Sequence, residues 1–135
     1  MNVTVKHIDK YQVEISSRGH RVVCDQPPEN YGNDAGMTQP ELFLGAIGAC
    51  AMHYAIAYLS GRCLPVSGLN VRVTGTKGGR PARISTIGIQ VEAPAVEPQH
   101  QPALQRAIEA CLLHRTLLDP PQMNIQVETG EPALV

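Results

Sequence analysis

Residues 38–60 read TQPELFLGAIGACAMHYAIAYLS, and this stretch decides how the rest of the chain must be arranged. Thr38 and Glu41 match the two ends of a capping box. The threonine oxygen can accept from the Glu41 amide while the Glu41 carboxylate reaches back to the Thr38 amide. Met37 and Leu42 are placed to form a hydrophobic staple. A helix is therefore predicted from about residue 38 to Ser60, with Gly61 as its C′ residue. Between Glu41 and Arg62 it carries no charge, and Leu42, Phe43, Ile47, Cys50, Met52, Ile56 and Leu59 spread apolar surface around it. A helix apolar on every face is wrapped by other structure. Its length approaches that of a membrane span. The segment is nonetheless rich in Ala and Gly, carries His53 at mid-span, has no basic cluster on one side and is bordered by strand-like sequence, which argues for a buried core helix.

Working outward, residues 2–8 and 11–16 alternate as strands, Ser17-Arg18-Gly19 is a turn, and His20 to Asp25 is a third strand. Pro27, Pro28, Gly32, Asn33, Asp34 and Gly36 then mark a long loop. Beyond the helix, residues 66–76 and 82–93 form a hairpin joined by Lys77-Gly78-Gly79-Arg80. Pro102 opens a second helix, with Leu104, Ala107, Ile108, Cys111 and Leu112 on one stripe. Asp119-Pro120-Pro121 ends it, and residues 123–129 read as a last strand. The order βββ-α-ββ-α-β implies one α+β domain over residues 1–135, with largely antiparallel sheets and helices to one side. A sheet covers only one face of the central helix. The simplest source of further cover is a second subunit in a symmetric homodimer.

The 135 residues carry a formal charge of −1, no Trp and 4% aromatic residues. That composition excludes strong phosphate or lipid attraction and offers few stacking platforms, so neither nucleic acid nor membrane is an expected partner. The first ten residues contain no apolar run of the secretory kind, which makes a reducing cytoplasm the default location. There, the four cysteines (Cys24, Cys50, Cys63 and Cys111) are fillers, metal ligands or redox groups rather than structural disulfides.

Cys50 lies among small residues on the central helix and Cys111 on the buried stripe of the second. Two thiols on two packed helices are the minimum equipment of a thiol peroxidase or reductase. The run Thr38 to Cys50, together with Ala107-Ile108-Glu109-Ala110-Cys111-Leu112-Leu113-His114-Arg115-Thr116-Leu117, resembles the OsmC/Ohr family over nearly the whole chain. The resemblance implies an intertwined homodimer whose sheets wrap two central helices, with active sites at the subunit interface and a role in stress response. It implies Cys50 as peroxidatic and Cys111 as resolving cysteine in the reduction of organic hydroperoxides, with an external dithiol as reductant. It also implies an arginine from the N-terminal hairpin beside Cys50, for which Arg18 and Arg21 are the candidates and Arg18, in the turn, is preferred. No cofactor is implied.

Two features depart from the family's peroxidases. Pro40 stands where they carry a glutamate, and Glu41, nine residues before Cys50, points to the opposite side of the helix and is explained by the capping box. Leu112-Leu113-His114 follows Cys111 in place of a Pro-containing segment. These departures motivate a second reading, a non-catalytic binding module for a small apolar ligand. His53 and His114 each follow a cysteine by three residues, so a Cys₂His₂ zinc site is a third. Cys24 and Cys63 read as incidental, and His7, His20 and His100 as surface residues.

Overall fold

The computed structural model describes residues 1–130. Strands β1 (Thr4–Asp9), β2 (Gln12–Ser17) and β3 (His20–Cys24) form an antiparallel sheet in the order β1-β2-β3. The β2–β3 turn pairs Ser17 with His20 across Arg18 and Gly19. Both central residues have positive φ, 51° and 82°, as a type I′ hairpin turn requires. Helix α1 (Gln39–Ser60) follows, then the antiparallel hairpin β4 (Asn70–Gly78) and β5 (Arg83–Glu92), then α2 (Gln101–Glu109) and α3 (Leu112–Leu118).

The capping box forms in full: Thr38 Oγ1 accepts from the Glu41 amide at 3.4 Å, and Glu41 Oε2 accepts from the Thr38 amide at 2.8 Å. At the other end the helix stops at Ser60 as expected, but the expected cap does not form. Gly61 stays right-handed at φ −64°, and Cys63 adopts the left-handed conformation instead, at φ 54°. The Leu64 amide bonds the Leu59 carbonyl at 2.9 Å and the Cys63 amide bonds that of Ser60 at 3.2 Å. That is a Schellman motif two residues later than the glycine suggests. Its setting explains the choice, because Leu64 thereby packs against the buried cluster of Ala55, Leu59 and Leu104.

α1 lies against β4 and α2. Ile47, Ala51, Ala55 and Leu59, spaced four apart, are its buried ridge. Glycines set the approach of helix to strand: a Cβ on Gly48 would meet Val73 Cγ2 at 3.0 Å, and one on Gly75 would meet the Leu44 methyls at 3.0 and 3.1 Å. The opposite face of α1 is open, with Ile56 exposed, and Phe43, one turn before Ile47 on the ridge row, is exposed as well. The β1–β3 sheet packs on no helix of its own chain to any extent.

Two further expectations are corrected. The second helix is not continuous through Cys111; it breaks at Ala110, and Cys111, at φ −53° and ψ 137°, heads α3. The strand expected over 123–129 does not form, and residues 120–130 have no regular structure. Met123, Ile125 and Val127 alternate as a strand should but are all more than 80% exposed. A strand needs an edge to pair with, and this protomer brings none to it.

Candidate functional site

Cys50 sits half-buried on the fourth turn of α1, and Cys111 is 2% exposed at the break between α2 and α3. Cys111 is among the groups that act on the Cys50 thiol, so the two lie near one another, and both are free. The break in the second helix supplies the rest of the setting. In an unbroken helix the Leu112 and Leu113 amides would bond the carbonyls of Ile108 and Glu109. Here the Cys111 amide takes the Ile108 carbonyl at 2.9 Å and His114 Nδ1 takes that of Glu109 at 2.7 Å. The released amides of Leu112 and Leu113 act on the Cys50 sulfur.

Burial pushes the Cys50 thiol above its ordinary range, and its hydrogen bond with Cys111 pushes the same way; the Leu113 and Leu112 amides pull it down without reversing the outcome. No cation is among the groups acting on it. Arg18 stands exposed in the β2–β3 turn. Arg21 is exposed on β3 and lies 3.9 Å from Glu14. The structure therefore joins the two cysteines within one protomer and leaves both candidate arginines apart from them.

Glu41 is engaged by the capping box. His53 points outward from α1 and His114 clamps the end of α2. Among the described residues no three His, Cys, Asp or Glu side chains converge as a metal would need, so the zinc reading is not supported within a protomer. Cys24 is fully buried, its thiol pushed up by burial and by the charges of Asp25 and Glu41.

Asp25 was not singled out by its sequence, yet it organises the loop before α1. Its fully buried carboxylate accepts from the Gln26, Asn33 and Ala35 amides at 2.8, 3.1 and 3.1 Å. Burial alone would raise this carboxyl; the three amides, helped by Lys10, hold it below its usual value instead. An acid between a strand and a Pro/Gly/Asn-rich loop was the available signal. The Leu112 and Leu113 amides had none, because backbone donors carry no sequence signature.

Beside Cys111 an open trough of about 970 Å³ runs along β5, floored by Ile84, Ile89 and Val91 and walled by Leu104, Ile108 and Leu117. Polar side chains, among them Glu97, Gln101, Glu109 and His114, share the lining, and the apolar floor suits an apolar ligand or another apolar surface.

The family described as OsmC-like protein matches residues 32–126. The chain belongs to the OsmC family. No curated protein matches it at the sequence level. Solved structures agree with the OsmC fold despite low identity. A protein of Psychrobacter arcticus 273-4, named for an osmotic stress induced and detoxification response, is 13% identical with a TM-score of 0.77, over 86% of this chain and 87% of that one. An OsmC-like protein of Mycoplasma pneumoniae is 15% identical at TM-score 0.70, covering 88% and 87%. An organic hydroperoxide resistance protein OsmC of Legionella pneumophila is 13% identical at 0.63, covering 87% and 89%. The α+β architecture of this OsmC-family chain is thus that of proteins with which it shares few residues.

Proposed function

We propose that this chain is a cytoplasmic thiol peroxidase that reduces organic hydroperoxides through Cys50 and Cys111 and works as a homodimer. The observation that carries the proposal is the proximity of the two thiols, with Cys111 lining an open trough that has an apolar floor. The Cys50 thiolate attacks the terminal peroxide oxygen; the O–O bond breaks and the alkoxide leaves as an alcohol after taking a proton. Cys50 is then a sulfenic acid. The Cys111 thiol condenses with it, a disulfide forms and water leaves. An external dithiol returns two electrons and two protons.

The dimer supplies what the protomer lacks. An accessible surface of 10674 Å² compares with about 6,900 Å² for a compact monomer of this mass. Val5, Ile15 and Val22 lie in one cross-strand row of the β1–β3 sheet, and Val5 and Val22 are exposed. This row and the open face of α1 are complementary in character. Seating the sheet of one subunit on the helix of the other covers both. It also gives the partner subunit's Arg18 a route to Cys50, where a guanidinium would favour the thiolate.

The test is mass spectrometry of the reduced protein mixed with an organic hydroperoxide. Wild type loses about two mass units as the disulfide closes, and Cys50→Ser does not. No loss in wild type overturns the proposal.

One observation favours a second reading, a binding module for a small apolar ligand: Cys50 has a raised thiol and no cation beside it within the protomer. Equal affinity for an apolar ligand in wild type and Cys50→Ala, with no peroxide turnover, selects that reading.

A further inference from the structure

The near-zero net charge conceals a segregation. No Asp or Glu stands between Glu41 and Glu92, while Arg62, Arg72, Lys77, Arg80 and Arg83 all fall in that interval. It carries +5 and the rest of the chain −6, which together give the −1 of the whole. The structure concentrates this charge on the β4–β5 hairpin, where Arg72, Lys77, Arg80 and Arg83 are all exposed. None of them is in an ion pair among the described residues; the one salt bridge there joins Arg21 and Glu14.

The position of these cations gives them a use. Ile84 and Ser85 line the trough together with Cys111 and are next in the chain to Arg83, while Glu97 and Glu109 line it further along the chain. The hairpin tip, Lys77 to Arg83, is therefore a basic rim contiguous in the chain with that lining. Gly79 leaves room for the Arg83 guanidinium, whose Nη1 would lie 2.9 Å from a Cβ there.

We propose that the β4–β5 tip is the docking site of an acidic protein, the dithiol reductant of the cycle, which it holds through Lys77, Arg80 and Arg83. This rests on the redox reading for the identity of the partner; the charge segregation stands without it. Like-signed, unpaired cations act mainly on encounter rate and on choice of partner. A reductant with carboxylates around its dithiol is drawn to the rim and presented to the trough. Its first thiolate attacks one sulfur of the Cys50–Cys111 disulfide and displaces the other as a thiolate. Its second thiol then resolves the mixed disulfide, so that the reductant leaves oxidised and both protein cysteines leave reduced. Four cations without exposed aromatic neighbours are a poor match for nucleic acid.

Two peptides test this: one carries three glutamates around a Cys-Gly-Pro-Cys dithiol, the other three lysines. Fluorescein-labelled versions with serine in place of cysteine measure docking by anisotropy on the reduced protein, independently of any redox step. At low salt the acidic peptide binds at least about tenfold more tightly than the basic one. The preference disappears at about 0.5 M salt, where screening acts within a few ångströms, and in the triple variant Lys77→Gln, Arg80→Gln, Arg83→Gln. Equal binding of the two peptides, an acidic preference that survives the triple variant, or tighter binding of a short oligonucleotide than of the acidic peptide overturns the proposal. The thiol forms then compare reduction rates of oxidised protein. If the acidic peptide docks but no disulfide forms with peroxide, the redox reading fails and the docking surface remains. If the disulfide forms and both peptides reduce it equally fast, the docking proposal fails alone.

Discussion

Cys50 is held between opposing influences, burial and the neighbouring Cys111 thiol on one side and two backbone amides on the other, and the first pair prevails. A protein that uses this thiol near neutrality must add a positive charge. Arg18→Ala is therefore expected to slow alkylation of Cys50 by iodoacetamide at pH 7 about tenfold, whereas Arg21→Ala, at a side chain near Glu14, leaves it nearly unchanged. If both variants react like wild type, the arginine assignment is wrong. Asp25 presents the opposite balance, with amide donors outweighing burial. Because its folded carboxyl titrates below the ordinary value of 3.8, its stabilising effect is fully present above that value. The effect is lost as pH falls further, through the folded value. Asp25→Asn is expected to lower the melting temperature by several degrees at pH 7. The difference from wild type should shrink in the window below pH 3.8. A constant difference across that range would show that the carboxylate charge is not what holds the loop. Cys50 and Cys111 were legible as candidates, but the Leu112 and Leu113 amides that act on Cys50 were not.

Helix limits respond to local chemistry at one end of α1 and to packing at the other. The capping box fixed the start. The helix stops at Ser60 as expected, but the left-handed cap falls two residues beyond Gly61, because Leu64 gains a place against Leu59 when Cys63 takes that conformation. For an L-residue that conformation costs about 1–2 kcal/mol, more than the roughly 0.4–1 kcal/mol of chain entropy that a glycine would cost. Cys63→Gly should thus stabilise the fold by about 0.5–1 kcal/mol, read as a raised urea midpoint; a lowered midpoint would discount the cap. Gly48 tests the helix–strand contact. Leucine there improves helix propensity by up to about 1 kcal/mol but must enter a space where Val73 already lies 3.0 Å from a Cβ. Overpacking of about 1–3 kcal/mol wins, and Gly48→Leu is expected to lower the midpoint. The break at Ala110 had no Gly or Pro to announce it, since its cause is a set of hydrogen bonds that exist only once Cys111 is buried beside α1.

Across the molecule, apolar surface is distributed as though half the packing were missing. The β1–β3 sheet hangs on the chain without a helix beneath it, one side of α1 is bare, and residues 123–127 keep a strand's alternation with no edge to join. The proposed association with a second copy would cover all three features. Analytical ultracentrifugation is expected to find a dimer of about twice 14.6 kDa at micromolar concentration, with dissociation in Ile56→Glu, which puts a charge on the bare face of α1. A wild type that sediments as a monomer would remove the dimer and, with it, the route proposed for Arg18.

The sequence by itself determined the elements and their kinds: where charge is absent, where periods of two and of 3.6 begin, and where turn residues interrupt them. Those are local properties, and β1 to β5, α1 and the turn at Arg18-Gly19 followed from them. Tertiary structure alone decided the cap that follows α1, the break that turns two amides toward Cys50, the buried hub at Asp25 and the absence of the last strand. Each depends on which distant group fills a space or accepts a bond. Such partners are chosen by the folded arrangement, not by neighbours along the chain.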